Sequence, residues 1–179
     1  MSLIWVTGNS GTGKSTVCGM LRARGYVALD ADEDGFCCWT NRDTGEVVVE
    51  PAYPVPEGWL DRHGWVINRE RVETLAEESR CRVAFLCGSV ENEVDVCDLF
   101  DHIVCLVIDD DTLRHRLATR TNNSFGQHPE ELAAALMWNP RMRGIYERRG
   151  ATIIDALQPV AEVVEQVIDA AEDLARPSA

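Results

Sequence analysis

Apolar runs alternate with amphipathic stretches along the whole chain, the pattern of an α/β domain built on a mostly parallel sheet. Leu3 to Thr7 reads as a buried first strand and Tyr26 to Leu29 as a second. Arg82 to Cys87 and His102 to Ile108 read as two further buried strands, and Ala151 to Ile154 as a short last one. Helices are expected between them. Lys14 to Arg24, closed by Gly25, is one; Asn68 caps another running to about Ser79. Asp110 or Asp111 caps a third running to about Arg120, and Pro129 suits the first turn of a fourth. Pro159 opens a C-terminal helix with Val160, Val163, Val164, Val167 and Ile168 at helical spacing.

Two segments break the alternation. Phe36 to Gly64 holds Pro51, Pro54 and Pro56 among the aromatics Phe36, Trp39, Tyr53 and Trp59, with Asp43-Thr44-Gly45 as a turn. So many aromatics predict an ordered insertion of hairpin and loop rather than a disordered linker. Thr121 to His128, TNNSFGQH, is polar, contains a glycine and lies between helices, so it is expected to form a lid. Arg176 to Ala179 reads as a loose tail.

At 179 residues the chain suits one domain over 1–179, with its own core. No apolar stretch approaches the roughly 20 residues of a membrane span, and the apolar start has no basic flank, so a soluble, cytoplasmic protein without a membrane partner is expected. The seven cysteines form no C-x-x-C pair and read as small core residues in a reducing compartment. A net charge of −13 disfavours a nucleic-acid polymer as partner, although a local basic cleft remains compatible with it. Of 17 basic residues only Lys14 is lysine.

That lysine lies in Gly8 to Ser15, GNSGTGKS, a G-x-x-x-x-G-K-S pattern between a strand and a helix. In such a loop Gly8, Asn9, Ser10, Gly11, Thr12 and Gly13 curl so that backbone N–H groups and the helix N-terminus point at phosphates. Lys14 then reaches the terminal phosphates, Ser15 offers its hydroxyl to Mg²⁺, and Thr16 follows on the helix. Asp30 and Asp32, in LDADED, stand at the carboxyl end of the second strand, where ligands gather in open α/β sheets. Alternation along an extended chain places both on one side, one to hold metal and its water and one to accept a substrate hydroxyl proton. Glu33 and Asp34 read as surface.

Arg116 and Arg120 lie four apart on one helical face and lead directly into the lid, where a guanidinium can neutralise a transferring phosphoryl group or stack on a base. Gly88, after the strand Phe85-Leu86-Cys87, either lets a substrate approach the backbone or makes a tight turn. No aspartate ends that strand, so metal duty falls to Ser15 and the Asp30/Asp32 pair. Trp39, Trp59 and Trp65 either stack a planar substrate or pack the insertion. The four histidines show no metal-ligand spacing.

Taken together, GNSGTGKST, LDADED, FLCGS, HIVCLVIDDDTLRHRLATR and IYERRGATIIDALQP resemble the P-loop small-molecule kinases, the family of shikimate kinases, gluconate kinases and adenylate-kinase-like nucleoside and nucleotide kinases. The resemblance implies a three-layer fold with a five-stranded parallel sheet, Mg-ATP as donor and transfer to a small hydroxyl or phosphate acceptor. It implies Asp32 as base or substrate contact, Arg116 or Arg120 as lid arginine, and Ala156 to Pro159 as the adenine-side wall. Arg141 and Arg143 fall near the positions of the family's substrate-binding arginines. Phe36 to Gly64 lies outside the resemblance, and Cys87-Gly88-Ser89 replaces the triple-glycine loop of shikimate kinases. The expected activity is therefore ATP-dependent transfer to a small molecule, with a nucleoside or nucleotide first. A nucleotide-operated regulatory ATPase and a natural-product phosphotransferase are the alternatives.

Overall fold

The computed structural model describes residues 2–121 and 123–175. Five parallel strands form the main sheet: β1 (Leu3–Gly8), β2 (Val27–Asp30), β6 (Ala84–Cys87), β7 (His102–Val107) and β8 (Thr152–Asp155), in the order β2-β6-β1-β7-β8. β1 lies at the centre, pairing Val6 with Cys87 on one side and Val104 on the other. Its six residues are all buried, as an unbroken apolar run at the middle of a covered parallel sheet should be.

Helices α1 (Lys14–Ala23), α3 (Arg69–Glu78), α4 (Asp110–Thr119), α5 (Pro129–Arg148) and α6 (Val160–Ala175) cover the sheet. One face buries Ile4, Val6, Phe85 and Val104 against Leu21 of α1, Leu117 of α4 and Val164 of α6. The opposite face buries Leu3, Trp5 and Leu86 against Val72 and Leu75 of α3. This is the expected three-layer α/β architecture. Asn68 caps α3 by accepting from the Arg71 N–H, as read from sequence. α4 differs by one residue: Asp109 is its cap, accepting from the Thr112 N–H at 2.6 Å, while Asp110 and Asp111 fill the first turn. Three adjacent aspartates leave that register ambiguous until the backbone is seen.

The aromatic insertion is a second, three-stranded antiparallel sheet of β3 (Cys37–Asn41), β4 (Val47–Val48) and β5 (His63–Ile67), in the order β4-β3-β5, with a single helical turn α2 (Trp59–Arg62). Its last strand continues three residues past the expected boundary at Gly64. Asn92, in the segment after β6, pins it by accepting from the Ile67 N–H at 2.8 Å and donating to the Ile67 carbonyl at 3.1 Å. Arg42 and Glu91 add an ion pair, and the Glu91 N–H donates to the Trp65 carbonyl. The small sheet is thus fixed to the segment leaving the main sheet.

A carboxylate buried beneath the sheet was not apparent from sequence. Glu93, 6% exposed, accepts from the Trp5 indole, from the Tyr146 hydroxyl at 2.6 Å and from Arg149 at 2.7 Å. Burial and the Glu93 charge push the Tyr146 hydroxyl well above its usual pKa, so it stays a neutral donor. Glu93→Ala orphans three donors, of which Trp5 is fully buried, and is expected to cost about 3 kcal/mol. Thermal unfolding should show a melting point lowered by roughly 10 °C.

Candidate active site

The loop between β1 and α1 closes around its own lysine. A Cβ on Gly8 would stand 2.5 Å from the Leu106 carbonyl oxygen, so glycine alone lets the loop leave β1 beside β7. Gly13 caps α1 with φ 101°, in the left-handed region open to glycine. First-turn N–H groups of a helix have no intrahelical acceptor, and α1 carries no acidic residue there, so its positive end faces the cavity. Lys14 Nζ donates to the carbonyls of Gly8 at 2.8 Å and Asn9 at 3.0 Å. Burial lowers the Lys14 pKa below the ordinary lysine value, while the carboxylates of Asp32 and Asp30 oppose the shift.

Asn9 ties the loop to α5, donating through Nδ2 to the Ala135 carbonyl at 2.7 Å and to Asn139 Oδ1 at 3.4 Å. Asn139 in turn donates to the Ile108 carbonyl and to Asp110. It had no sequence signal beyond an Asn-Pro step inside a helix.

Arg116 and Arg120 both reach the loop. Arg116 donates to the carbonyls of Gly11 and Thr12 at 3.3 Å and of Ala156 at 3.0 Å, bridging the phosphate loop and the segment after β8. Arg120 donates to Ser10 Oγ at 3.1 Å, to Asn123 at 3.3 Å and to the Phe125 carbonyl. Its Nε is buried without a partner, and burial depresses its pKa. Residues 123–128 lead into α5, with the Gly126 N–H donating to the buried Glu131 carboxylate at 2.7 Å. Asn122, within the expected lid, lies outside the described residues.

These groups surround a cavity of about 450 Å³, a volume usual for small-ligand sites. Ser10, Gly11, Thr12, Gly13, Lys14, Ser15, Thr16 and Val17 form its floor, Asp32 one wall, Arg116, Arg120 and Asn123 another. Ala156, Gln158, Val160 and Val163 form a partly apolar end. Three cations face one carboxylate, so a basic cleft exists within a strongly acidic chain. A wider cleft of about 600 Å³, lined by Glu57, Gly58, Asp61, Glu130 and Ala133, offers three carboxylates and no cation, which makes it unsuited to phosphate.

The two aspartates part company. β2 ends at Asp30 and the chain turns at once, the Asp34 N–H donating to the Asp30 carbonyl, so alternation along an extended strand does not apply. Asp30 is 3% exposed, and its Oδ1 accepts from the N–H groups of Asp32 and Glu33, holding the turn. Asp32 points into the cavity, where its Oδ1 accepts from the Trp65 indole at 2.7 Å. Partial desolvation at the cavity wall raises the Asp32 pKa above the ordinary aspartate value although the residue remains exposed, against the lowering effects of the Trp65 hydrogen bond and of Lys14. Asp34, read as surface, instead accepts from the Asp30 N–H at 2.7 Å and pairs with Arg22.

Other residues singled out in the sequence do not line the cavity themselves. The space a Cβ would need at Gly88 is filled, with Ala31 Cβ at 2.6 Å and the Trp5 ring at 3.1 Å, so this glycine serves packing. Arg141 lies over the Trp138 ring, and Arg143 pairs with Glu147 on the exposed side of α5. Gly8 and Asn9 shape the loop from behind, and Pro159 starts α6 by accepting the Glu162 and Val163 N–H groups. Trp39, Trp59 and Trp65 pack on one another, ring centroids 4.6 and 5.2 Å apart, with His63 stacked on Trp59.

The sequence model of the AAA domain family matches residues 4–136. Among curated proteins no sequence matches. Solved structures similar to this chain include a gluconokinase from Sinorhizobium meliloti, 20% identical, with 97% of this chain and 95% of that one covered and a TM-score of 0.51. A shikimate kinase from Acinetobacter baumannii in complex with shikimate is 20% identical, with 94% and 91% covered and a TM-score of 0.56. A shikimate kinase from Aquifex aeolicus is 17% identical, with 98% and 99% covered and a TM-score of 0.55. The fold is that of the P-loop small-molecule kinases. Among the described residues no helix is long and apolar enough to cross a membrane.

Proposed function

This chain belongs to the AAA domain family, and from that premise we propose that it is a kinase transferring the terminal phosphoryl group of ATP to a hydroxyl of a small molecule. The observation that carries the reading is that Lys14 and Asp32, the cation of the glycine-rich loop and a carboxylate of raised pKa, line one cavity. Lys14 and the N-terminus of α1 hold the donor phosphates, and Arg120, across the loop at Ser10, neutralises charge on the phosphoryl group in flight. Asp32 accepts the acceptor's hydroxyl proton as the new P–O bond forms and the bond to the ADP leaving group breaks. Arg116 braces the phosphate loop, and Ala156, Gln158, Val160 and Val163 form the nucleoside end.

The residues also fit a magnesium ion shared with the phosphates. Ser15 is exposed at the start of α1 and lines the cavity together with Asp32, while no set of three His, Cys, Asp or Glu among the described residues would hold a metal alone. Ser15, with a carboxylate acting through water, would hold the ion, which neutralises phosphate charge.

For the acceptor our first assignment is a nucleoside or nucleotide, because an aromatic side chain of the small sheet, Trp65, borders Asp32. Shikimate and gluconate are the next to test, given the names of the similar structures. An ATP-consumption screen over nucleosides, nucleotides, shikimate, gluconate and polyhydroxylated antibiotics, with an acceptor-free control, decides the matter. Acceptor-dependent ADP release supports the kinase; steady release without any acceptor, unchanged by all of them, supports a regulatory ATPase instead. Release with an antibiotic alone identifies a natural-product phosphotransferase, which uses the same chemistry.

A further inference from the structure

We infer that Trp65, carried by the small antiparallel sheet, is the positioning residue of Asp32: its indole N–H fixes one carboxylate oxygen and leaves the other for the acceptor hydroxyl. The inference rests on the proposed kinase reading and deepens it at the same site.

The geometry is direct. Trp65 Nε1 donates to Asp32 Oδ1 at 2.7 Å, a charge-assisted bond of good length. An aspartate has two single-bond torsions to settle, and Asp32 stands in a turn rather than a strand, so its backbone alone leaves the carboxylate free to rotate. The indole removes that freedom, and the indole itself is held. Its strand pairs Trp65 with Trp39 across β3, the two rings lie 5.2 Å apart, and its carbonyl accepts from the Glu91 N–H. Two residues on, Asn92 clamps Ile67 through both backbone groups. A hydrogen bond from an anchored donor costs little further ordering when the acceptor binds, which is the condition for preorganised catalysis.

The groups facing Asp32 are few. Lys14 comes from α1, Asp30 from the end of β2, Cys37 from β3 and Trp65 from β5. Trp65 is the one among them with a direct hydrogen bond to the carboxylate oxygen Oδ1 from a side chain. Removing that donor shifts the proton equilibrium of Asp32 toward the neutral acid, because the bond favours the charged form.

The test joins a spectrum that needs no acceptor to a rate that does. In the 1H–15N spectrum of the full chain, the five tryptophans give five indole signals. The one absent from Trp65→Phe should move through an acid titration in the wild type and hold still in Asp32→Asn. Should Trp65→Phe fail to fold, the comparison of wild type with Asp32→Asn identifies the same signal. With the acceptor that releases most ADP in the screen, Trp65→Phe should lower kcat about 10- to 100-fold, by analogy with the hydrogen-bonded partners that orient metal ligands. Its KM for ATP should stay within about twofold, and the acidic limb of its pH–rate profile should move to higher pH. Trp39→Phe disturbs the same aromatic packing without touching Asp32 and should lose much less. No indole signal following Asp32, a Trp65→Phe rate equal to wild type, or equal losses in Trp39→Phe and Trp65→Phe would each overturn the positioning role while leaving the kinase reading intact. A wild-type chain with no acceptor-dependent transfer overturns both.

Discussion

Lys14→Ala should lower phosphoryl transfer by about 10²- to 10³-fold or more, the scale on which one preorganised charge-stabilising donor contributes to a transition state. The ammonium is placed for this before any ligand arrives: the carbonyls of Gly8 and Asn9 hold it at 2.8 and 3.0 Å. Those two bonds also cross-link the loop, so the variant loses local order as well as charge. The global fold should survive, because the core packs through Val17, Cys18 and Leu21 of α1 and not through the lysine. A melting point within about 5 °C of wild type, by calorimetry or circular dichroism, would show this, since a shift of that size corresponds to one or two kcal/mol. Lys14→Arg should not rescue transfer, because a planar fork cannot occupy the space in which a compact ammonium meets two carbonyls. Undiminished transfer by Lys14→Ala would refute the placement of the donor phosphates.

Asp32→Asn should reduce kcat by about 10²- to 10⁴-fold, the usual range for a general base, with the dissociation constant for ATP changed far less. Asparagine keeps the size and can still accept from the Trp65 indole, so the variant removes basicity with little change of shape. Wild-type activity should also fall with acidification. Only the ionised carboxylate can take a proton, and desolvation at the cavity wall raises the Asp32 pKa above that of an ordinary aspartate. Because the pKa is raised, the protonated fraction grows sooner as pH falls, and the acidic limb lies above the range of a free aspartate. In Asp32→Asn that limb should disappear from the residual rate. A wild-type profile flat down to the ordinary aspartate range would count against Asp32 as base.

Much of this was legible before the structure because it is local. Gly8 to Ser15 announces itself through residues adjacent in sequence, and the five parallel strands follow from apolar runs of strand length. Asp32, Arg116 and Arg120 could be placed near one cavity from sequence because each stands close to the end of an element, β2 or α4. What escaped was set by contacts between distant residues. Glu93 acquires its role from Trp5 and from Tyr146, 88 and 53 positions away. Asn139 meets Asn9 across 130 positions, and Trp65 meets Asp32 across 33. No periodicity reports such pairs. Asp30 falls on the same side as Asp32 only if the strand continues; the chain turns at Asp30, and of the two Asp32 lines the cavity. Gly88 shows the opposite limit: a small residue at a strand end signals only that something comes close, and here that neighbour is Ala31 and Trp5.

The lysine held by the Gly8 and Asn9 carbonyls gives the molecule a built-in reporter. It is the sole lysine of the chain, so apart from the α-amino group an acylating reagent has one amine to find. Burial lowers its pKa and so enlarges the neutral, nucleophilic fraction at a given pH, while the cavity beside it keeps the amine within reach of a small electrophile. Mass spectrometry of the acylated peptide should therefore show protection when a nucleotide fills the phosphate loop, and that protection can be titrated without knowing what receives the phosphate.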